Sequence, residues 1–189
     1  MTALRAVPLP DLDPEVGTGV QVAGGETYDL HTDPEALLLC ALMWSYHPAG
    51  DTSETARITA TLTGDDFDDY THSRLFTVIA DLVAAEQPFG PASVTNEVIR
   101  SGGAGGKDGP LRRRLLNIAT LGAFALTATH NADIVLSQSY RRSFHTAGTA
   151  ITEAAENLPE EDLFAHMLEH GRRQRRAFER LNDFRSGQS

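Results

Sequence analysis

Residues 33–45 read DPEALLLCALMWS, and this stretch decides the fold. Asp33 can accept hydrogen bonds from the first free amides of a helix, Pro34 suits the first helical position, and Glu35 favours the positive end of the helix dipole. From Ala36 onward the residues are apolar nearly all round, which is typical of a helix buried in the middle of a bundle. We therefore expect a central helix that ends at about Ser45 in an all-α domain.

Four further helices are expected between this stretch and residue 121, at about 54–62, 71–85, 91–100 and 110–121. Their apolar residues recur at offsets of one, three and four, which is helical periodicity. The expected inward positions are Ile58, Leu62, Leu75, Phe76, Ile79, Leu82, Val83, Val94, Val98, Ile99, Leu111, Leu115, Leu116 and Ile118. Together with the central helix they predict a compact globular bundle of five helices.

Two long helices are expected after the bundle, at about 129–157 and 160–185. Leu158-Pro159 forces a tight turn because proline cannot continue a helix. A helix of this length is about 40 Å long, so the hairpin should project from the bundle. Its apolar stripes are thin, and we infer that a second chain covers part of them. The stripes consist of Ala132, Val135, Ser139, Phe144, Ala147, Ile151 and Ala154, and of Leu163, Phe164, Met167, Leu168, Phe178 and Leu181.

The chain divides into three predicted regions. Residues 1–31 are rich in proline and glycine without apolar periodicity, and are expected to form a flexible tail. Residues 32–128 are the globular helical bundle and residues 129–185 the helical hairpin, the two together forming one domain.

Charge and composition exclude several classes of protein. The net charge is −10, with −12 in residues 1–100 and +2 in residues 101–189. Such acidity argues against a dedicated DNA-coating protein, because phosphate contacts supply most non-specific affinity. The longest strongly apolar run, Leu37–Trp44, is far too short to cross a bilayer, and no signal peptide is recognisable. Cys40, the only cysteine, is interpreted as a small buried hydrophobe, and a reducing cytoplasmic location is expected.

Motifs that could carry chemistry are weak, and we expect neither enzymatic activity nor a cofactor or catalytic metal. The only lysine, Lys107, lies in a glycine-rich segment that lacks the G-x-x-x-x-G-K-[ST] pattern of a phosphate-binding loop. His166-Met167-Leu168-Glu169-His170 matches H-x-x-E-H, but too few residues follow for the third zinc ligand of such peptidases. We interpret both histidines as polar residues on a solvated face. Trp44 and Phe76 are interpreted as core residues, and His72 as a residue that bonds locally at a helix start.

The order of elements resembles the N-terminal domain of the bacterial replicative DNA helicase, the DnaB-like helicase N-terminal domain family. The resemblance covers about residues 33–156. It rests on an acidic-capped apolar helix, a Leu-Thr-x-acidic-acidic-Phe segment, and a helix opened by histidine and followed by Arg, an aliphatic residue and Phe. An Asn-Ala start to a long helix follows, as in Asn131-Ala132. Family-motif positions are Leu37, Leu42, Phe67, His72, Arg74 and Phe76.

The resemblance implies a domain that builds a collar by hairpin pairing and recruits primase. It also implies a primosome-type scaffold without a motor, with a second copy as partner and a replicative helicase or primase as further partners. The glycine-rich segment 101–109 and the link 122–129 depart from the family pattern, which leaves primase binding an open expectation. The residues expected to bind partners are Arg141, Arg142, Phe144, Ile151, Phe164, Met167, Leu168, Arg172, Arg175 and Phe178.

An alternative hypothesis is a nucleic-acid-binding or regulatory protein of a mobile element that has reused the fold. Its motivation is the run Arg172-Arg173-Gln174-Arg175-Arg176 in the last helix. No aromatic residue is interleaved there to stack on bases, so nucleic-acid binding is expected to be weak.

Overall fold

The computed structural model describes residues 20–21, 27–101 and 109–187. Within this part the chain forms seven α-helices, as the apolar periodicity predicts. They are α1 Pro34–Ser45, α2 Ser53–Thr61, α3 Tyr70–Ala84, α4 Pro91–Ser101, α5 Gly109–Ala119, α6 Ala128–Asn157 and α7 Glu160–Ser186. Two 3₁₀ turns, Gly64–Asp66 and Ala125–Thr127, connect α2 to α3 and α5 to α6.

The central helix α1 begins as the sequence predicts. Asp33 accepts hydrogen bonds from the amides of Glu35 and Ala36, at 3.1 and 3.2 Å, and Pro34 is the first helical residue. Every side chain from Leu38 to Met43 is at most 1% exposed. The helix contacts α3, α4, α5 and α6, so its apolar surface is covered from several sides. Burial of Cys40 in this helix raises the pKa of its thiol, despite nearby backbone amides that lower it.

The first residues of the chain hold a short element that the sequence pattern did not predict. Val20–Gln21 (β1) pairs antiparallel with Thr27–Tyr28 (β2), with Val20 opposite Tyr28 and Gln21 opposite Thr27. Leu30 is 7% exposed and packs in the bundle core, so the core begins before residue 32. The remaining residues of the expected tail, 1–19 and 22–26, lie outside the described residues.

The base of the hairpin is part of the bundle core. In α6 the buried side chains of the first turns are Ala128, Asn131, Ala132, Val135 and Leu136, and α7 returns Leu181 and Phe184 to the same core. The expected boundary between residues 128 and 129 therefore falls at the start of α6, and the hydrophobic core is continuous across it. The part of α6 beyond Tyr140 packs along α7 and extends about 25 Å, at about 1.5 Å per residue.

Several expected core positions are exposed instead. Trp44 is 56% exposed, Ile99 47% and Leu116 58%. Trp44 lies near the C-terminal end of α1, and its indole Nε1 donates a 2.9 Å hydrogen bond to the carbonyl oxygen of Ala119. That bond holds the ring along the surface at the end of α5. The prediction of a core tryptophan was wrong, whereas Phe76, at 1% exposure, is in the core as predicted.

Candidate interaction surface on the helical hairpin

Asp66, in the first 3₁₀ turn, joins the hairpin to the bundle. Its carboxylate is 2% exposed and accepts hydrogen bonds from the amide of Thr63 at 2.8 Å and the hydroxyl of Ser139, on α6, at 2.6 Å. Arg180, on α7, donates to the same carboxylate. One buried carboxylate thus contacts both helices of the hairpin. The signal in the sequence is only an acidic pair before Phe67, which does not reveal the partners.

Two arginines strengthen the same junction from either side. The guanidinium of Arg57, on α2, lies 4.6 Å from the ring centroid of Phe184 and donates to the Phe184 carbonyl at 3.3 Å. Arg185, on α7, donates to Asp133 at 2.6 Å and to the hydroxyl of Ser137 at 2.7 Å. These contacts hold the end of α7 against the start of α6, so the hairpin leaves the bundle in a defined direction.

The seam between the two helices is narrow in its outer half. Ala147 and Ala154, on α6, are 7% and 6% exposed because α7 covers them. Gln174, on α7, donates to the carbonyl of Ser143 at 2.9 Å and accepts from its hydroxyl at 3.0 Å. Small and polar side chains therefore fill the seam, and the larger apolar side chains lie beside it.

Six apolar side chains lie along one side of the outer hairpin, and we call this surface the apolar face. Phe144 and Ile151 are seven residues apart on α6, which places them on one side of that helix. On α7, Met167 and Leu168 lie three and four residues after Phe164, and Phe178 lies eleven residues after Met167, so the four share one side of that helix. The ring of Tyr140 contacts Phe144, at 5.0 Å between centroids, and Phe178, at 6.2 Å, which joins the two helices' contributions. The face consists of Phe144, Ile151, Phe164, Met167, Leu168 and Phe178, each between 41% and 65% exposed.

The opposite side of the hairpin is polar. Glu169 accepts from Arg173 at 3.0 Å and lies 3.8 Å from Arg176. On α6 the exposed residues of this side include Thr146 and Thr149. The hairpin is therefore two-sided, with charge and hydroxyl groups on one side and exposed apolar groups on the other.

The arginines predicted to bind partners differ in their exposure and in the contacts that they make. Arg142 is half-buried, donates to the carbonyl of Asp66 and lies 3.7 Å from Asp68, so it serves the junction with the bundle. Arg175 pairs with Glu179 at 2.9 Å along its own helix. Arg141 and Arg172 are exposed. Arg141 lines a cavity of about 640 Å³ whose other wall is acidic, formed by Asp33, Glu35, Asp68 and Asp69. Of the predicted set, the structure links Phe144 and Phe178 through the ring of Tyr140, and it places Arg142 at the junction with the bundle.

The family-motif residues lie in the bundle. Leu42, Phe67 and Phe76 are buried, with the rings of Phe67 and Phe76 4.8 Å apart, whereas Leu37 and Arg74 are half-buried. These positions shape the core and are not part of the apolar face.

A buried polar cluster beneath the bundle surface was missed by reasoning from the sequence. His72 is fully buried, and its Nδ1 lies 3.1 Å from Glu35 and 3.4 Å from Asp33. Glu35 also accepts from the amides of Asp68, at 2.6 Å, and Asp69, at 3.3 Å. His72 bonds locally, as interpreted, because its amide donates to Asp69 at 3.3 Å, but its ring also contacts Glu35, 37 residues away, which the sequence pattern did not reveal. The cluster fixes the start of α3 against the start of α1.

The H-x-x-E-H motif is also placed differently from the expectation. His166 and His170 are half-buried, and their Nε2 atoms lie 3.1 Å apart. Glu169, between them, bonds to Arg173 instead. Within the described ranges no three metal-ligating side chains form a group, and no helix there is long and apolar enough to cross a membrane. Lys107 and its glycine-rich segment fall in residues 102–108, outside the described residues.

The fold places the chain among all-helical domains in which a globular bundle carries a long antiparallel hairpin. The family model of the DnaB-like helicase N terminal domain matches residues 30–136, which is more than half of the chain. The chain therefore belongs to this family of replicative helicase domains, as the resemblance indicated.

A solved structure, the N-terminal domain of DnaB helicase from Mycobacterium tuberculosis, has the same fold. It superposes with a TM-score of 0.61 at 19% sequence identity, over 75% of this chain and 94% of that one. A search of curated proteins finds no match.

Proposed function

We propose that this chain is a non-enzymatic scaffold of DNA replication that pairs with a second copy through the apolar face of its hairpin. The observation that carries the proposal is the position of six partly exposed apolar side chains on one side of an otherwise polar hairpin. A monomer in water gains nothing from apolar side chains exposed on one side in this way, whereas a protein interface would bury them. Membership of the helicase N-terminal family supports the replication context.

The area of the apolar face is sufficient for a dimer that associates weakly. A half-exposed aromatic side chain leaves about 100 Å² uncovered. Three such phenylalanines and three half-exposed aliphatic side chains would together bury on the order of 500 Å² in each copy, and the flanking residues Tyr140 and Gly171 would add to it. A standard interface buries about 800 Å² per partner. We therefore expect a dimer in equilibrium with monomer at micromolar concentration.

A second copy fits this surface better than an unrelated chain for a geometric reason. The face runs along both antiparallel helices, from Phe178 near the bundle to Phe164 near the tip. Two hairpins related by a twofold axis would bring like surfaces together along their full length, as isologous dimers do. The paired hairpins would then hold two globular bundles, which we propose as the docking site for a replicative helicase or primase.

Sedimentation velocity of the full chain over a range of concentrations tests the pairing. The variant Phe164→Asp should shift the equilibrium to monomer, because it places a charge in the apolar contact. Thr149→Asp is the matched control, since Thr149 is also exposed, lies on the polar side of the hairpin, and receives the same charge. A wild-type chain that remains monomeric at high concentration, or equal effects of both variants, would refute the proposal.

The partner assignment has a separate test. Purified replicative helicase and primase are each titrated into the wild-type chain and into the Phe164→Asp variant by calorimetry. Binding of either protein to wild type supports the scaffold, and a loss in the variant assigns the docking to the paired form. Heat from ATP titrated alone would contradict the non-enzymatic assignment.

A further inference from the structure

His166 and His170 occupy a position on the hairpin that neither self-association nor the bundle explains. They are four residues apart on α7 and so lie one turn above the other on the same side of the helix. Their Nε2 atoms are 3.1 Å apart, and their ring centroids 4.6 Å apart. Both rings are half-buried and stand at the seam, away from the six residues of the apolar face.

At 3.1 Å the two nitrogens are within hydrogen-bond distance of each other and are also close to the spacing of two ligands on one metal ion. Zinc binds imidazole nitrogen at about 2.1 Å, so two nitrogens at a tetrahedral angle stand about 3.4 Å apart. A small rotation of either ring closes the difference. From these distances we propose that His166 and His170 form a two-histidine site for a first-row divalent cation such as Zn²⁺, with water in the remaining positions.

The surroundings leave room for an ion. His170 lines a cavity of about 430 Å³ together with Ser143, Thr146 and Ala147, whose side chains are all small. Two arginines also line this cavity, but each is engaged by a carboxylate. Arg173 donates to Glu169 at 3.0 Å and Arg142 lies 3.7 Å from Asp68. Asp65 lines the same cavity and adds a negative charge.

The consequence of binding would be local to the hairpin. An ion held by both rings would tie two successive turns of α7 together directly before Gly171, and glycine is, after proline, the least favourable residue for a helix interior. The outer hairpin, where alanines fill the seam, would then be stiffened by the metal. The site does not depend on dimer formation, because both ligands belong to one chain.

Calorimetric titration of ZnCl₂ into the untagged full chain tests the site. We expect saturation at one ion per chain and a rise in the melting temperature. His166→Ala and His170→Ala should each weaken binding by about 100-fold or more, because a chelate loses its second attachment. His145→Ala, at an exposed position of α6, is the matched control and should bind zinc as wild type does.

Nuclear magnetic resonance of the wild-type chain provides a second readout that needs no substitution. Zinc should shift the imidazole resonances of His166 and His170 and leave the other five histidines unchanged. Absence of saturable binding, wild-type zinc affinity in either alanine variant, or shifts spread over all histidines would overturn the proposal.

Discussion

Asp69 has two roles at the start of α3, and both depend on its charge. Its carboxylate caps the helix by accepting from the amide of Thr71 at 2.6 Å, and it lies 3.6 Å from Arg114. Burial alone would raise its pKa, but the charges of His72 and Arg114 and the amides of Thr71 and His72 together lower the pKa below the ordinary value of 3.8.

A depressed pKa in the folded state makes the contribution of Asp69 dependent on pH. The stabilisation is complete above about pH 4, the range of unfolded aspartate, and is lost as the pH falls through the folded pKa. We expect Asp69→Asn to reduce the free energy of unfolding by about 1 kcal/mol at pH 7. That difference from wild type should shrink below about pH 4. Urea unfolding at several pH values measures it, and a difference that is constant from pH 7 to 2 would contradict the assignment.

A second prediction at the scale of a residue concerns the buried carboxylate of Glu35. It is 4% exposed and accepts hydrogen bonds from two backbone amides and contacts His72. Glu35→Gln keeps the shape but removes the charge, and should lower the free energy of unfolding by about 2–3 kcal/mol because one carboxylate oxygen becomes an NH2 group, which cannot accept from the donor that faces it. Glu156→Gln, at an exposed position of α6, is the control for the same chemical change. Chemical denaturation followed by circular dichroism compares the two, and equal losses would be evidence against the buried cluster.

The buried cluster around Glu35 and His72 shows which contacts could be predicted from the sequence and which could not. The cap at Asp33 and Pro34 could be predicted, because its hydrogen bonds stay within three residues. The pairing of Glu35 with His72 could not, because it depends on how α1 and α3 pack and no periodicity encodes it. The prediction that Trp44 is buried was wrong for a related reason. An indole can be exposed on one side and hydrogen-bonded on the other, so its hydrophobicity does not fix its burial.

The junction between the hairpin and the bundle is a property of whole elements. Asp66 contacts α6 through Ser139 and α7 through Arg180. Asp66→Ala should cost about 3–5 kcal/mol, because it leaves the guanidinium half-buried without its carboxylate. Hydrogen exchange should rise most in the last two turns of α7 and less in α1. Asp65→Ala is the matched control, since Asp65 is exposed. Uniform exchange in the Asp66 variant would show that the hairpin is held in another way.

The long helices contain two glycines that weaken them without an evident structural need. A Cβ added at Gly148 or Gly171 meets no atom within 4 Å, and both residues are helical. Alanine favours a helix interior over glycine by about 0.5–1 kcal/mol. Gly148→Ala should therefore raise the melting temperature, and thermal denaturation measures it. Gly122→Ala is an informative contrast, because its φ of 74° strains any other residue and should lower the melting temperature.

At the scale of the molecule, the order and packing type of the helices could be predicted from the sequence, but the exposure of individual side chains on the hairpin could not. Helix periodicity and Pro159 were sufficient for a bundle followed by a hairpin, because both depend on local sequence. The apolar stripes of α6 and α7 predicted which residues lie near the seam. They could not separate Ala147 and Ala154, which are covered, from Phe144 and Ile151, which are half-exposed. That separation depends on the rotation of one helix against the other.

The distribution of charge predicts how association of whole molecules responds to salt. Residues 129–185 carry eight arginines and nine acidic residues, a net charge of −1, so the remainder carries −9 of the total −10. Pairing through the hairpin therefore brings two nearly neutral surfaces together and keeps the acidic bundles apart. The dimer dissociation constant should change by less than about threefold between 50 and 500 mM NaCl, since screening acts only on the distant bundles.

Contact of the arginines with DNA would instead weaken steeply with salt, because phosphate binding releases counterions. Sedimentation at both salt concentrations, with and without a DNA duplex, separates the two. A dimer that dissociates at 500 mM NaCl would mean that charge, and not the apolar face, holds the copies together.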